Sequence, residues 1–456
     1  MTNPADPDPE FTFTVFTPSP LDPTFHPTLP QLSNSIRRST RTLRNRLHSI
    51  SADSHFIRLV SASYHLPVIP NARAGDWYVP PSLQGGGGVC GGVYFKSTDG
   101  HTNEWSFSLR RLNLSLLSLL SSSGGAIIVD STRRGKRFPD SLAKTIPIWI
   151  AVINSILFPE IFPKPVLYTT PLAVSANEAA AIERLLPGFV DDLKELGVQL
   201  PKLKKPLRPI FISPDSPLPE EKPSWGDFVP LVLVTASRMQ KGTGGEGEYI
   251  QGAGDDHEGW AAECGLTPGV FWRFHEKIMA AQDDGELDAV IAEAVATGVE
   301  KGTEEGEVVL VRPTGGVFVA PVASVPKVKE GWVVVNCAAE PIEGATNIPI
   351  PGGKRGNKAL RMAAPGLVKS LLKPLEEGKK VCFVCETGDD VAPAVALVVL
   401  CSFFRDDGTF KVQDKSDIDK NMVKRRLAWL STARTTVNPA RGLMNAVNSV
   451  LMGWED

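Results

Sequence analysis

Two short stretches in the first third of the chain hold side chains whose types and spacing suit phosphate and sugar chemistry. They are Tyr94-Phe95-Lys96-Ser97-Thr98-Asp99-Gly100-His101-Thr102 and Asp130-Ser131-Thr132-Arg133-Arg134-Gly135-Lys136. Each sets cations, hydroxyls, a carboxylate and a glycine in one loop beside an apolar run. Arg and Lys meet phosphate charge, Asp meets ribose hydroxyls or a bound metal, and Gly lets backbone N–H groups approach a ligand closely. In the first stretch Lys96 suits a phosphate, while Asp99 or His101 suits the proton of a hydroxyl. A polar turn with a capping Asp is the competing reading. In the second, Arg133, Arg134, Lys136 and Arg137 concentrate charge that is costly to bury without an anion. Gly135 there permits positive φ. Asp130, at the end of an apolar run, is placed to orient ribose hydroxyls or a metal.

Other groups are candidates for the same crevice. Lys144 lies one or two helical turns beyond Asp140. Ser106 or Ser108 caps an expected helix from about Leu109, which puts Arg110 and Arg111 in its first turn. Cations there oppose the helix dipole, and an anion would relieve them. The glycine-rich loop Gln251-Gly252-Ala253-Gly254-Asp255-Asp256-His257-Glu258 offers Asp255 and Asp256 as oxygen ligands for Mg²⁺, or is an acidic surface turn. Arg37, Arg38, Arg41, Arg44 and Arg46 fall between Ile36 and Leu47 with no acid among them, either a cationic arm for nucleic-acid phosphate or a solvated helix face.

The elements that must position these groups alternate. A proline-rich lead-in, residues 1–30, is expected to be disordered. Residues 35–62 follow a helical pattern, with Ser51-Ala52-Asp53-Ser54 read as a break and the cap of a second helix. Val93 to Phe95, Ala126 to Val129, Val166 to Tyr168, Ile210 to Ile212 and Leu231 to Val234 read as strands. Leu109, Leu112, Leu116 and Leu119 make one helix face. Residues 141–157 read as helical despite Pro147, with further helices near 175–196 and 268–297. This order implies an α/β domain with a largely parallel sheet over 31–297. Its ligands belong outside the carboxyl ends of the strands, where both cationic loops begin. Residues 298–307 are a candidate linker. A second α/β unit over 305–456 would hold strands at 308–311, 317–319, 332–335 and 381–384, and helices near 357–376, 392–404, 421–432 and 438–452.

Composition sets bounds. The 456 residues carry a net charge of −3 and are 42% hydrophobic, enough apolar material for two globular cores. Six cysteines are sparse and show no zinc spacing, which points to a reducing compartment. No basic-then-apolar leader and no span-length apolar run is present, so a cytoplasmic protein without a membrane segment is expected. Cys385-Glu386-Thr387-Gly388-Asp389-Asp390-Val391 follows a strand and precedes an apolar helix, the layout of a cysteine-phosphatase loop. Such a loop needs Arg six positions after Cys, and Val391 stands there, which argues against phosphatase chemistry.

Several runs resemble the fungal and plant initiator-tRNA ribosylphosphate transferases. These are the two cationic stretches, Trp105 to Ser108, Arg110 to Leu114, Pro139-Asp140, Lys144 to Trp149, Gln251 to Asp256, Gly265 to Pro268, Phe271-Trp272, Asn438 to Arg441, Val447-Asn448 and Leu451-Met452. The likeness runs from about residue 35 to the end. It implies transfer of a 5-phosphoribosyl group from phosphoribosyl pyrophosphate, with Mg²⁺, to the 2′-OH of the T-stem adenosine 64 of cytoplasmic initiator tRNA-Met. That mark keeps the initiator out of elongation. The resemblance also implies a C-terminal domain similar to dual-specificity phosphatases. On it, Lys96, Asp99, His101 and Asp130 are the catalytic candidates. Arg110, Arg111, Ser131, Thr132, Arg133, Arg134, Gly135, Lys136, Lys144 and Gln251 bind substrate, and the Arg37 to Arg46 segment clamps RNA. A monomer is expected. The competing class is a tRNA-binding scaffold without turnover.

Overall fold

The computed structural model describes residues 42–72, 74–84, 93–133, 135–240, 249–255, 259–301, 308–327, 331–434 and 436–453. From Leu43 onward the chain is one compact unit built around two sheets. The first sheet holds β1 (Val68–Pro70), β2 (Ala126–Asp130), β3 (Leu207–Ile212) and β4 (Val229–Thr235). They run parallel in the order β1-β2-β4-β3, with Asp130 opposite Thr235. Before and between them come α1 (Leu43–Tyr64), α2 (Leu114–Ser123), α3 (Ile146–Leu157), α4 (Ala176–Glu183) and α5 (Leu186–Leu196). After them come α6 (Trp260–Cys264), α7 (Pro268–Arg273), α8 (His275–Ala280) and α9 (Asp284–Lys301).

Alternating strand residues feed two cores, because successive side chains point to opposite faces. Ile127, Val129, Val232 and Val234 pack on Leu47, Ile50 and Ile57 of α1 and on Phe271 and Ile291. Ile128, Leu231 and Leu233 pack on Leu116 and Leu120 of α2, Ile150 and Ile153 of α3 and Val190 of α5. Helices therefore cover both faces, which is why these strands read as unbroken apolar runs.

The second sheet holds β5 (Val309–Leu310), β6 (Val317–Pro321), β7 (Val333–Asn336), β8 (Thr346–Asn347) and β9 (Val381–Cys385). Its order is β5-β6-β9-β7-β8, with only β5 antiparallel to its neighbour. It carries α10 (Gly353–Glu376), α11 (Val391–Phe403), α12 (Lys420–Ala433) and α13 (Arg441–Met452). α11 is buried almost all round, as its uniformly apolar sequence requires. The two sheets' domains interlock. Ala428 of α12 sits in the core beneath the first sheet, and Asn421 Nδ2 donates to Glu195 Oε1 at 2.9 Å.

Some expectations need correction. Residues 51–54 do not break α1, because Asp53 and Ser54 are buried within a continuous helix and Asp53 finds partners inside the protein. Val93–Phe95 is no strand: Val93 makes one isolated bridge, to Asn71. Residues 166–168 lie in irregular backbone. The leucine helix starts at Leu114, not Leu109: Asn113 adopts φ 50° and its Oδ1 takes the Tyr94 N–H at 3.0 Å. α9 reaches Lys301, into the candidate linker. Residues 302–307 and the proline-rich lead-in lie outside the described residues.

Candidate active site

The two cationic turns lie side by side at the carboxyl end of the first sheet. β2 ends at Asp130, and the turn Ser97–Gly100 packs on a π turn, Ser141–Thr145, that leads into α3. This π turn before Ile146 leaves Pro147 in the first turn of α3, where its missing N–H is tolerated. Gly100 allows the close approach: a Cβ there would sit 2.7 Å from the Asp140 carbonyl oxygen and 2.8 Å from Thr145 Oγ1. Thr145 Oγ1 donates to the Lys96 carbonyl at 2.9 Å. Asn71, just past β1, ties the turns together. Its Nδ2 donates to Asp130 Oδ2 at 2.7 Å and to the Phe95 carbonyl at 3.0 Å, while its Oδ1 accepts the Phe95 N–H at 2.8 Å.

Between the turns lies a cleft of about 390 Å³. Of the candidates, Lys96, His101, Asp130, Ser131, Thr132, Arg133, Lys136 and Asp255 line it. Among the described residues the Lys96 ammonium has no hydrogen bond or ion pair, so it is available to an anion. Arg133 is largely exposed, with Nε 4.0 Å from Asp255 Oδ2. Gly135 adopts φ 91°, a left-handed conformation that favours glycine.

Asp140 is the electrostatic centre of one wall. It is buried, Lys136 Nζ lies 2.7 Å from its Oδ2, Lys144 Nζ 3.1 Å from its Oδ1, and His101 Nε2 3.9 Å from its Oδ2. His101 is half-exposed at the cleft, with its Nε2 beyond hydrogen-bond distance of Asp140. Asp99 faces away from the cleft, toward Ser106 and Arg111, and burial raises its carboxyl above the ordinary range. Geometry therefore favours His101 over Asp99 beside a reacting hydroxyl.

Several candidates serve the walls instead. Asp130 is 4% exposed and accepts from Asn71, from Ser141 Oγ and from the Ser131 N–H. Burial pushes its carboxyl up to about 6, and it acts by pinning the turn. Lys144 is not free for substrate: only 5% of its side chain is exposed, and it lies between Asp140 and Glu178 Oε1, the latter at 2.8 Å. Gln251 is buried, donates to the Lys136 carbonyl at 2.7 Å and accepts the Gln240 N–H at 2.9 Å. Its neighbour Gly252 presses on the second turn, where a Cβ would sit 2.7 Å from the Thr132 carbonyl oxygen. Arg110 and Arg111 lie before α2, not at its N-terminus. Arg110 donates to the Pro439 carbonyl at 3.2 Å. Arg111 donates to Asn438 Oδ1 at 2.8 Å and covers the Tyr94 ring at 4.4 Å. Arg44 and Arg46 have partners inside the protein: Arg44 Nε bonds Asp284 Oδ1 at 2.9 Å, and Arg46, 5% exposed, donates to the Ala253 carbonyl. Arg37, Arg38, Arg41, Arg134 and Asp256 lie outside the described residues.

Among the described residues no three His, Cys, Asp or Glu side chains gather as a metal site. The carboxylates of Asp130 and Asp140 are occupied by protein donors, and Asp255, with Arg133 Nε 4.0 Å from its Oδ2, stands on the cleft wall. The groups that sequence reading missed are Asn71, Asp140 in its organising role, and Glu178. Only Asp140 carried a signal, its position in a conspicuous motif.

In the second domain Cys385 Sγ accepts the Gly388 N–H at 3.2 Å. In the same loop Asp389 accepts from Arg434 and from Thr436 Oγ1, and Asp390 accepts the Ala440 N–H at 2.8 Å.

Comparison with known proteins supplies relatives for both halves. Residues 36–296 match the family profile described as the Rit1 N-terminal domain, and residues 345–451 match the Rit1 DUSP-like domain. An uncharacterized protein of Schizosaccharomyces pombe is 36% identical, over 91% of this chain and 96% of its own. The tRNA A64-2′-O-ribosylphosphate transferase of Saccharomyces cerevisiae is 32% identical, over 96% of this chain and 97% of its own. Among solved structures, human DUSP28 aligns with 32% of this chain and 93% of its own at 12% identity and a TM-score of 0.24.

Proposed function

The chain belongs to the Rit1 family, and from that premise we propose that its cleft binds 5-phosphoribosyl pyrophosphate and that initiator tRNA-Met supplies the acceptor. The protein is a tRNA ribosylphosphate transferase that modifies the 2′-oxygen of adenosine 64. The observation that carries the donor reading is the meeting of Lys96, Arg133 and Lys136 around one cleft with His101 on its rim. Three cations at a sheet's carboxyl end suit a sugar that carries a phosphate and a diphosphate.

In the reaction the 2′-oxygen attacks the ribose carbon that bears pyrophosphate. The new C–O bond forms as the bond to the pyrophosphate oxygen breaks, and that electron pair leaves with pyrophosphate. Lys96, Arg133 and Lys136 meet the negative charge that grows on the leaving group, the preorganised electrostatic help that usually contributes most. The proton of the 2′-OH passes to His101 on the cleft rim. A Mg²⁺ bound to the donor's phosphates would be met on the protein side by Asp255 and would supply further positive charge to the leaving pyrophosphate. An A-form stem offers its 2′-OH groups in a wide, shallow minor groove, so the acceptor is recognised by shape and phosphate contacts. The modified initiator is thereby kept from elongation. We place the enzyme in the cytoplasm as a monomer, in keeping with five described cysteines that are all free. No described helix is long and apolar enough to cross a membrane.

The test is to incubate the protein with initiator tRNA, Mg²⁺ and donor labelled at its β-phosphate. Release of labelled pyrophosphate, dependent on tRNA and raised in KM for donor by Arg133→Ala and Lys136→Ala, is expected. Unchanged rates for both variants at limiting donor would remove these cations from the donor site.

A further inference from the structure

Behind Ser131 a chain of hydroxyls runs from the cleft to a buried carboxylate. Ser131 and Ser237 follow the adjacent strands β2 and β4, and their Oγ atoms lie 2.7 Å apart. Ser237 Oγ is in turn 2.7 Å from Asp53 Oδ2, on α1. All three are buried, at 8%, 1% and 6% exposure in that order, and Ser131 borders the cleft.

Counting protons sets the direction of every bond. A carboxylate only accepts, and a serine hydroxyl has one proton to give. Asp53 Oδ1 accepts from Tyr249 Oη at 2.9 Å, and Tyr249 Oη itself accepts the Arg238 N–H at 2.8 Å. Asp53 Oδ2 accepts from Ser237, which uses up the Ser237 proton. Ser237 Oγ also accepts the Gly252 N–H at 3.2 Å. In the contact between the two serines, Ser131 must therefore be the donor. Its proton points inward, the buried Tyr78 hydroxyl also hydrogen-bonds it from within, and what remains toward the cleft is acceptor capacity. That acceptor capacity repels phosphate oxygens and attracts a hydroxyl.

We infer that Ser131 reads a ribose hydroxyl of the donor as a hydrogen-bond acceptor, and that Asp53, acting through Ser237, imposes that polarity. This rests on the donor reading above and adds the feature that separates a ribosyl from a deoxyribosyl ligand in the same cleft. Ser131 is the binding residue, while Asp53 and Ser237 are positioning residues. Burial pushes Asp53 up to about 7, with Tyr78, Tyr249 and Arg238 as its charged or titratable neighbours, so assays at pH 8.5 keep it in the accepting form.

The probes are ribose 5-phosphate, its 2-deoxy and 3-deoxy counterparts, and inorganic pyrophosphate, each titrated into the full-length protein at pH 8.5. Wild type should bind ribose 5-phosphate about fivefold to tenfold more tightly than one of the deoxy sugars, the size of one hydrogen bond in a protected site. Ser131→Ala should erase that preference and leave pyrophosphate affinity unchanged. Asp53→Asn, whose amide can donate to Ser237, should lower the preference in the same direction. If Asp53→Asn does not fold, Ser131→Ala decides alone. Equal binding of all three sugars by wild type, a preference that survives Ser131→Ala, or an equal loss of pyrophosphate affinity would each overturn the inference. A wild type that binds pyrophosphate and ribose 5-phosphate without preference leaves the donor reading standing, whereas one that binds neither removes both.

Discussion

Lys144→Met separates two accounts of the most deeply placed cation near the cleft. By spacing alone Lys144 is a substrate ligand. In the fold it is an internal counter-charge: 5% of its side chain is exposed, with Asp140 Oδ1 at 3.1 Å and Glu178 Oε1 at 2.8 Å. Removing one partner of a buried ion pair costs about 3–5 kcal/mol, because the surviving charge is left desolvated and unpaired. Here the loss belongs at the lower end. Asp140 keeps Lys136 at 2.7 Å, and Glu178 keeps the hydroxyl of Thr102 at 3.1 Å. A loss of about 3 kcal/mol in a domain of this size lowers Tm by about 6–12 °C. Thermal unfolding followed by tryptophan fluorescence reads this directly, and donor KM is measured at a temperature where both proteins are folded. The expected result is the lower Tm with donor KM changed by less than about twofold, since no contact to the cleft is lost. Adding Glu178→Leu to Lys144→Met should recover part of the stability, because it removes the orphaned charge. An unchanged Tm together with a donor KM raised tenfold or more would refute this account and return Lys144 to the substrate.

Three further outcomes are expected. Gly100→Ala places a methyl 2.7 Å from the Asp140 carbonyl oxygen, so it should push the two turns apart, cost about 1–3 kcal/mol and depress transfer more than Tm alone explains. Wild-type activity in the variant would mean the turns need no such contact. The folded Asp53 carboxyl titrates at about 7 against an ordinary value of 3.8, so the folded state holds an extra proton between these limits. Stability is therefore greatest below the lower value and falls as pH rises through the upper one, by at most about 4 kcal/mol. Asp53→Asn should remove this slope, and parallel Tm curves for the two proteins from pH 5 to pH 8 would contradict it. Cys385→Ser should leave transfer unchanged, because the thiol is buried and accepts one backbone N–H within its own loop. A transfer rate lowered tenfold in folded variant would show that the thiol takes part.

The candidate site was legible wherever chemistry and backbone demand sit in one short stretch. Lys96, Arg133, Lys136 and Gly135 announce an anion-binding turn by composition, and the apolar runs at 126–129 and 231–234 announce parallel strands that end there. Asn71 was not legible, since one asparagine after a three-residue strand has no local signature, yet it holds both turns. Glu178 was hidden in the same way: nothing near it in the chain shows that it receives Lys144.

By its local patterns the amino-acid sequence decided the alternation of strands and helices, the sheet end that bears the cationic turns, and the loss of the phosphatase arginine at Val391. Only the tertiary structure decided which charges face a ligand and which face each other. Arg44 meets Asp284 across 240 positions, Ser237 meets Asp53 across 184, and Lys144 meets Glu178 across 34. Charge type is a property of each residue, but availability depends on which partner packing brings within about 3 Å, and spacing along the chain carries no record of that.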